Sequence, residues 1–236
     1  SEMDSLEPSG GNGPSAEFRN VTFRYPGSSG NLFEGMSLDL PKGLRTVVWG
    51  ESGVGKSSLL LLCSGFLKPD AGSVTIKSES VGFVFQERGL YPWLSVLQNV
   101  TLPLCRKLGR CEKRDVAMNA LRRLGMDGLA DRRGGELSGG QERRVQIARL
   151  LASKASLWLL DEPFAGIDAK NREVCREAVL EIQRETAATL LLATHSQDDL
   201  NAVAEFVVVV ERSNGFSKVR PFAPSRLEAA GVGGAL

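Results

Sequence analysis

The stretch Gly50-Glu51-Ser52-Gly53-Val54-Gly55-Lys56-Ser57 sets the frame for the whole chain. It matches the pattern G-x-x-x-x-G-K-[ST], a phosphate-binding loop. Its glycines let the backbone curl so that several N–H groups converge on one point, at the start of a helix expected over 56–67. That point suits an anion. Lys56 adds a charge aimed at β- and γ-phosphates. Ser57 offers a hydroxyl to a magnesium ion, and Ser58 is counted with the loop. The nearly continuous apolar run 46–49 precedes it, as in a strand buried on both faces.

Outward from the loop, strands and helices alternate. Strands are expected over 18–25, 38–40, 74–76 and 81–85 from apolar alternation or short apolar runs. Between about 87 and 134 the texture changes to Gly, Pro, Trp and charge. One helix is clear there, with Val116, Ala120, Leu121 and Leu124 on one face and Gly125 as its stop. Alternation then returns: a helix over 141–152, a strand over 157–160, a helix over 168–184, a strand over 190–194, a short helix capped by Ser196, and a strand over 206–210. Fully apolar strands separated by helices imply an α/β fold with a mostly parallel sheet covered on both faces. The middle segment reads as a helical insertion.

Composition excludes several classes. Of 236 residues, 42% are hydrophobic and 24% charged, close to the globular average. Lys and Arg (29) nearly balance Asp and Glu (28), for a net charge of +1. That flat balance argues against a dedicated nucleic-acid binder, and no nucleic-acid partner is expected. No apolar run approaches the roughly 18–20 residues needed to span a bilayer. The opening residues carry no secretory-signal pattern. Residues 1–15, rich in Ser, Gly, Glu, Pro and Asn, read as a disordered leader. The four cysteines, Cys63, Cys105, Cys111 and Cys175, lack paired spacing and read as free thiols. With a single histidine, His195, and no CxxC, a catalytic zinc site is not expected.

Two further motifs carry chemistry. Leu157-Trp158-Leu159-Leu160-Asp161-Glu162 is a buried strand that delivers two carboxylates at its C-terminal end, where open α/β sheets bind ligands. Asp161 is placed to help hold Mg2+, and Glu162 to polarise an attacking water. In Leu137-Ser138-Gly139-Gly140-Gln141, Ser138 and Gln141 form a capping box for the following helix. Gly139 and Gly140 leave its first amides uncovered, which makes a second anion site distinct from the loop at 50–57.

That pentapeptide, with the phosphate loop and the Asp161-Glu162 pair in the same order, resembles the nucleotide-binding subunit of an ABC transporter. The resemblance runs through nearly all of 18–212. It implies a P-loop NTPase (RecA-like) core over 16–86 and 150–236, an N-terminal antiparallel β region, and a helical subdomain at about 87–149, all in one domain over 16–236. It implies ATP and Mg2+ as ligands. Tyr25 sits where the family stacks an aromatic on adenine. Gln86 sits at the Q-loop position, touching Mg2+ or the attacking water. Asp168, in Ala165-Gly166-Ile167-Asp168, matches the D-loop, and His195 matches the switch histidine that contacts the γ-phosphate. The Ser138–Gln141 signature would close the nucleotide of a second copy, so that two ATPs lie in a homodimer sandwich.

The same resemblance implies a membrane permease contacting about 88–105, where Leu90, Tyr91, Trp93, Leu94 and Leu97 look exposed. It also implies a solute-binding protein in the system and a location at the inner face of the cell membrane. The string Gly89-Leu90-Tyr91-Pro92-Trp93 with Asn99-Val100 is similar to ATPases of nitrate, sulfonate and taurine importers. Val100-Thr101-Leu102-Pro103-Leu104 is similar to lipoprotein-release and macrolide exporters. An ATPase of a non-transport assembly, of the iron–sulfur type, stays open beside these.

Overall fold

The computed structural model describes residues 13–86, 89–104, 108–213 and 215–222. The expected leader therefore lies outside the described residues up to 12. Pro14 and Ser15, also inside that leader, instead begin the first strand, β1 (Pro14–Phe23). Ser15 is buried, with Oγ 2.5 Å from Thr189 Oγ1. That contact across the molecule fixes residues whose composition alone reads as disordered.

β1 pairs antiparallel with β2 (Phe33–Pro41) and β4 (Ala71–Ile76), giving a three-stranded sheet. The larger sheet has six strands in the order β5-β6-β7-β3-β8-β9. Its members are β3 (Arg45–Trp49), β5 (Val81–Val84), β6 (Leu157–Asp161), β7 (Thr189–Thr194), β8 (Phe206–Ser213) and β9 (Phe216–Phe222). All neighbours are parallel except β8 and β9.

The apolar runs of β3, β6, β7 and β8 are buried on both sides, and their residues alternate between two cores. Val48, Leu159, Leu191 and Val208 face the antiparallel sheet and α1 (Lys56–Ser64). Val47, Leu160, Leu192 and Val207 face the other side. That side is covered by α2 (Val96–Thr101), α3 (Arg110–Arg123), α4 (Gly139–Ser153), α5 (Ala169–Thr186) and α6 (Gln197–Val203). Among the described residues no helix is long and apolar enough to cross a membrane.

Element limits differ from expectation in physically informative ways. α1 ends at Ser64, three residues early, because Gly65 turns left-handed with φ 79. β1 stops at Phe23, so Tyr25 lies beyond the strand. α2 has no counterpart in the expected elements, yet Ser95 and Gln98 form its complete capping box. β9 was not expected either, although Asn214-Gly215 is a hairpin signal in the sequence.

Candidate active site

The strand order sets the ends of β3, β7 and β6 side by side. Trp49 registers with Thr194, and Asp161 with Ala193. The segments that leave these ends therefore meet in one place, at the carboxyl edge of the sheet. They line a cleft of about 390 Å3.

The phosphate loop forms its floor. A side chain at Gly50 is excluded, since a Cβ there would lie 2.3 Å from Val210 O on β8. Gly55 has φ 106 and caps α1 without a side-chain hydrogen bond, leaving the helix's first amides free. Ser52, Gly53, Gly55, Lys56, Ser57 and Ser58 line the cleft. Gly50, Glu51 and Val54 are not among the residues that line it. Lys56 Nζ donates to Gly50 O (2.8 Å) and Glu51 O (2.7 Å). Burial lowers the Lys56 pKa from the usual ammonium range, while Glu162 and Asp161 oppose that shift.

Asp161 and Glu162 leave β6 into the same cleft. Burial raises the Asp161 pKa, and a hydrogen bond with Ser57 works in the other direction. Asp161 Oδ1 is buried and has no partner. A carboxylate oxygen left unpaired beside a serine hydroxyl is the oxygen donor set that magnesium takes, completed by phosphate oxygens and water. Among the described residues no three His, Cys, Asp or Glu side chains group to hold a metal by themselves. Ser57 and Asp161 thus fit a magnesium ion that arrives with a nucleotide.

Glu162 adopts φ 46, a left-handed conformation that costs a non-glycine residue about 1–2 kcal/mol. Its N–H donates to Ala193 O at 2.9 Å, which holds that conformation in place. Its carboxylate is then sealed at 10% side-chain exposure and meets His195, whose Nδ1 lies 2.6 Å from Glu162 Oε1. Thr194 Oγ1 donates to Glu162 Oε2 at 3.4 Å. His195 itself is 66% exposed, at the mouth of the cleft. Gln86, just past β5, lines the same cleft.

Tyr25 also lines it. Its ring packs edge-on against Phe23 at 5.0 Å, and its hydroxyl lies 2.9 Å from Ser58 Oγ. Two lining residues have no counterpart in the expected site, Leu32 and Arg212. Arg212 is on β8 and reaches Ser217 Oγ at 3.5 Å. Ser217 ties the β8–β9 hairpin to the phosphate loop, its Oγ donating to Val54 O at 2.6 Å. Only the neighbouring of β3 and β8 brings Arg212 here. No local pattern signals it.

Ser138, Gly139, Gly140, Gln141 and Asp168 do not line this cleft. They gather elsewhere. The expected capping box is present at the start of α4, where Ser138 accepts from Gln141 N and Gln141 reaches back to Ser138 N. Gly140 lets the chain after β6 cross closely, since a Cβ there would lie 3.0 Å from Gly166 O. Asp168 caps α5 by accepting from Asn171 N at 3.1 Å, and Arg144 Nη1 links Asn171 to α4 at 3.2 Å.

In the segment expected to meet a permease, Tyr91 (46%) and Trp93 (66%) are exposed. Leu90, Leu94 and Leu97 are half-buried, which corrects the expectation that all five of these apolar residues are exposed. Leu90 and Leu97 pack on the core under the helices. Asn99, fully buried, fixes the loop by accepting from Tyr91 N and donating to the carbonyls of Tyr91, Leu94 and Ser95. Residues 88 and 105, at the ends of that stretch, lie outside the described residues.

Known proteins share the family and fold of this chain. The ABC transporter family model matches residues 33–165. The taurine import ATP-binding protein TauB of Pseudomonas aeruginosa is 39% identical over 204 residues, covering 83% of this chain and 78% of TauB. The thiamine import ATP-binding protein ThiQ of Photobacterium profundum is 39% identical over 205 residues, covering 81% of this chain and 83% of ThiQ. The dimeric bacterial ABC transporter cassette MJ0796 has the same fold, with a TM-score of 0.79 at 26% identity over 88% of this chain and 98% of that one. A second dimeric structure of MJ0796 is in a post-hydrolysis state bound to ADP and Pi. This chain belongs to the ABC transporter family, as one of its ATP-binding, ATP-hydrolysing cassettes.

Proposed function

We propose that the chain hydrolyses Mg-ATP to power import of a small solute through a separate membrane permease. The observation that carries the hydrolytic reading is the contact between the sealed, strained Glu162 and His195 at the mouth of a cleft floored by Lys56. In this reading the free amides of the phosphate loop and Lys56 bind the β- and γ-phosphates, and Tyr25 stacks on adenine. Ser57, Asp161 and Gln86 would hold a magnesium ion, which would supply charge neutralisation to the phosphates. Glu162 orients and polarises the attacking water, and His195 holds the γ-phosphate side of the site. Hydrogen bonds aimed at developing charge in such a site contribute more than they do in water.

The signature Ser138–Gln141 and Asp168 act on the nucleotide of a second copy. The dimer closes on two ATPs and opens after hydrolysis. Residues 16–236 work as one domain, in which the helical subdomain 87–149 moves against the core 16–86 and 150–236. Tyr91 and Trp93, presented by the Asn99-fixed loop, form the centre of the permease contact. The chain then works at the inner face of the cell membrane, with a solute-binding protein delivering substrate. Similarity to TauB makes taurine-type sulfonates the first substrate class to test. ThiQ, matched as closely, serves thiamine import, so the match supports import more than one solute.

The deciding experiment uses purified protein and Mg-ATP. Glu162→Gln should lower turnover by about a hundredfold or more while ATP binding stays intact. With ATP it should also run as a dimer in light scattering. Unchanged turnover, or a persistent monomer at saturating ATP, would overturn the reading.

A further inference from the structure

The cleft and the signature lie on different elements. Gln86 follows β5 and lines the cleft, while the signature begins α4. One buried side chain joins them. Arg143, on the second turn of α4, is 8% exposed. Its Nη1 donates to Phe85 O and its Nη2 to Gln86 O. The planar guanidinium thus spans two successive carbonyls with its two ends, a geometry a lysine cannot reproduce. Burial works against its charge, whereas the carboxylates of Asp161, Glu142 and Glu162 favour it.

The neighbours on α4 hold the same stretch. Glu142 Oε1 accepts from Gly89 N at 3.2 Å. A Cβ at Gly89 would lie 2.7 Å from Gln146 Oε1, on the next turn of the helix, so that side chain packs directly on the connection. Three side chains of α4 thus meet the connection from β5 into the helical region, and Arg143 grips it at Gln86 itself.

We propose that Arg143 is a positioning residue that fixes Gln86 in the cleft and makes its place depend on the orientation of the signature helix. Arg143 does not line the cleft. It acts through the backbone of Gln86, so a rotation of α4 on engaging a second copy pulls Gln86 with it. The proposal rests on the hydrolytic reading above.

The test uses the full chain and the variants Arg143→Gln, Arg143→Lys, Gln86→Ala and the double variant Arg143→Gln/Gln86→Ala. Turnover is measured as kcat and KM for Mg-ATP. Hydrogen exchange of the segment following β5 is measured without nucleotide. Arg143→Gln should lower kcat about tenfold, leave KM within about twofold, and speed exchange in that segment, with Arg143→Lys falling between it and wild type. In the Gln86→Ala background the same change should cost less than about twofold, because the residue it positions is gone. Unchanged kcat despite faster exchange would make Arg143 a merely structural contact and overturn the proposal. So would losses that multiply in the double variant. A wild-type chain that turns over no Mg-ATP would instead overturn the hydrolytic reading, and this proposal with it.

Discussion

The molecule has two glycine-rich helix starts that present free amides, and they are built differently. At α1, Gly55 caps the helix in a left-handed conformation, and a Cβ there would press on Phe33 (3.1 Å) and Leu32 (3.2 Å). The amides face a cleft already walled by Lys56, Asp161 and Glu162. At α4, Ser138 caps the helix with its own side chain, and a Cβ at Gly139 would meet nothing within 4 Å. Ser138 and Gly139 are exposed. Gly55 is thus explained by its own chain, and Gly139 is not. The first start is walled by its own chain, and in the proposed dimer the second would act on a partner's nucleotide.

The sharpest way to break that comparison is to damage each start separately. Lys56→Ala should remove a charge the bound phosphates need, and turnover should fall by at least about a hundredfold, with ATP binding lost as well. Gly139→Asp has space for its side chain, and an acid at a helix start favours the helix locally. The folded chain should therefore keep its melting temperature and bind ATP within about twofold, while turnover drops by about a hundredfold, because a second copy would now present a carboxylate to the γ-phosphate. If Gly139→Asp hydrolyses ATP normally, the two starts do not cooperate across a dimer.

A smaller effect tests how far the cleft extends. Arg212→Ala should raise KM for ATP by about twofold to fivefold with little change in kcat, as expected for an exposed cation at the rim of the cleft. A change in kcat alone would move Arg212 from binding to the chemistry.

The smallest effect concerns the core behind α1. Burial pushes the Cys63 thiol up to about 12, so at pH 8 almost none of it is thiolate. Cys111, on α3, is exposed. Mass spectrometry after alkylation at pH 8 should find Cys111 modified and Cys63 protected until the chain unfolds. Labelling of Cys63 in the native state would show that the α1 side is looser than its packing indicates.

Much of the cleft was legible because its chemistry is local in sequence. Each of Gly50–Ser57, Asp161-Glu162 and His195 sits directly after an apolar strand, and a strand's end is where a parallel sheet exposes its ligand-binding edge. Leu32, Arg212 and Arg143 were not legible, since each reaches the site or its support from an element distant in the chain. The capping box at Ser95 and Gln98 could have revealed α2, but a six-residue helix carries too little periodicity to announce itself. The exposed look of 88–105 misled for a related reason: half of an apolar stretch can be buried by a helix that the pattern does not show.

The sequence by itself determined the phosphate loop, the paired acids, the signature and its cap, because each is a short-range device whose residues make their own backbone geometry. Only the tertiary structure decided that the loop, the acids and His195 share one cleft with Leu32 and Arg212. It also decided that a left-handed Glu162 meets His195 and that Arg143 bonds the carbonyl of Gln86. Those facts depend on strand order and on a helix crossing a loop, and long-range packing of that kind leaves no period in the chain.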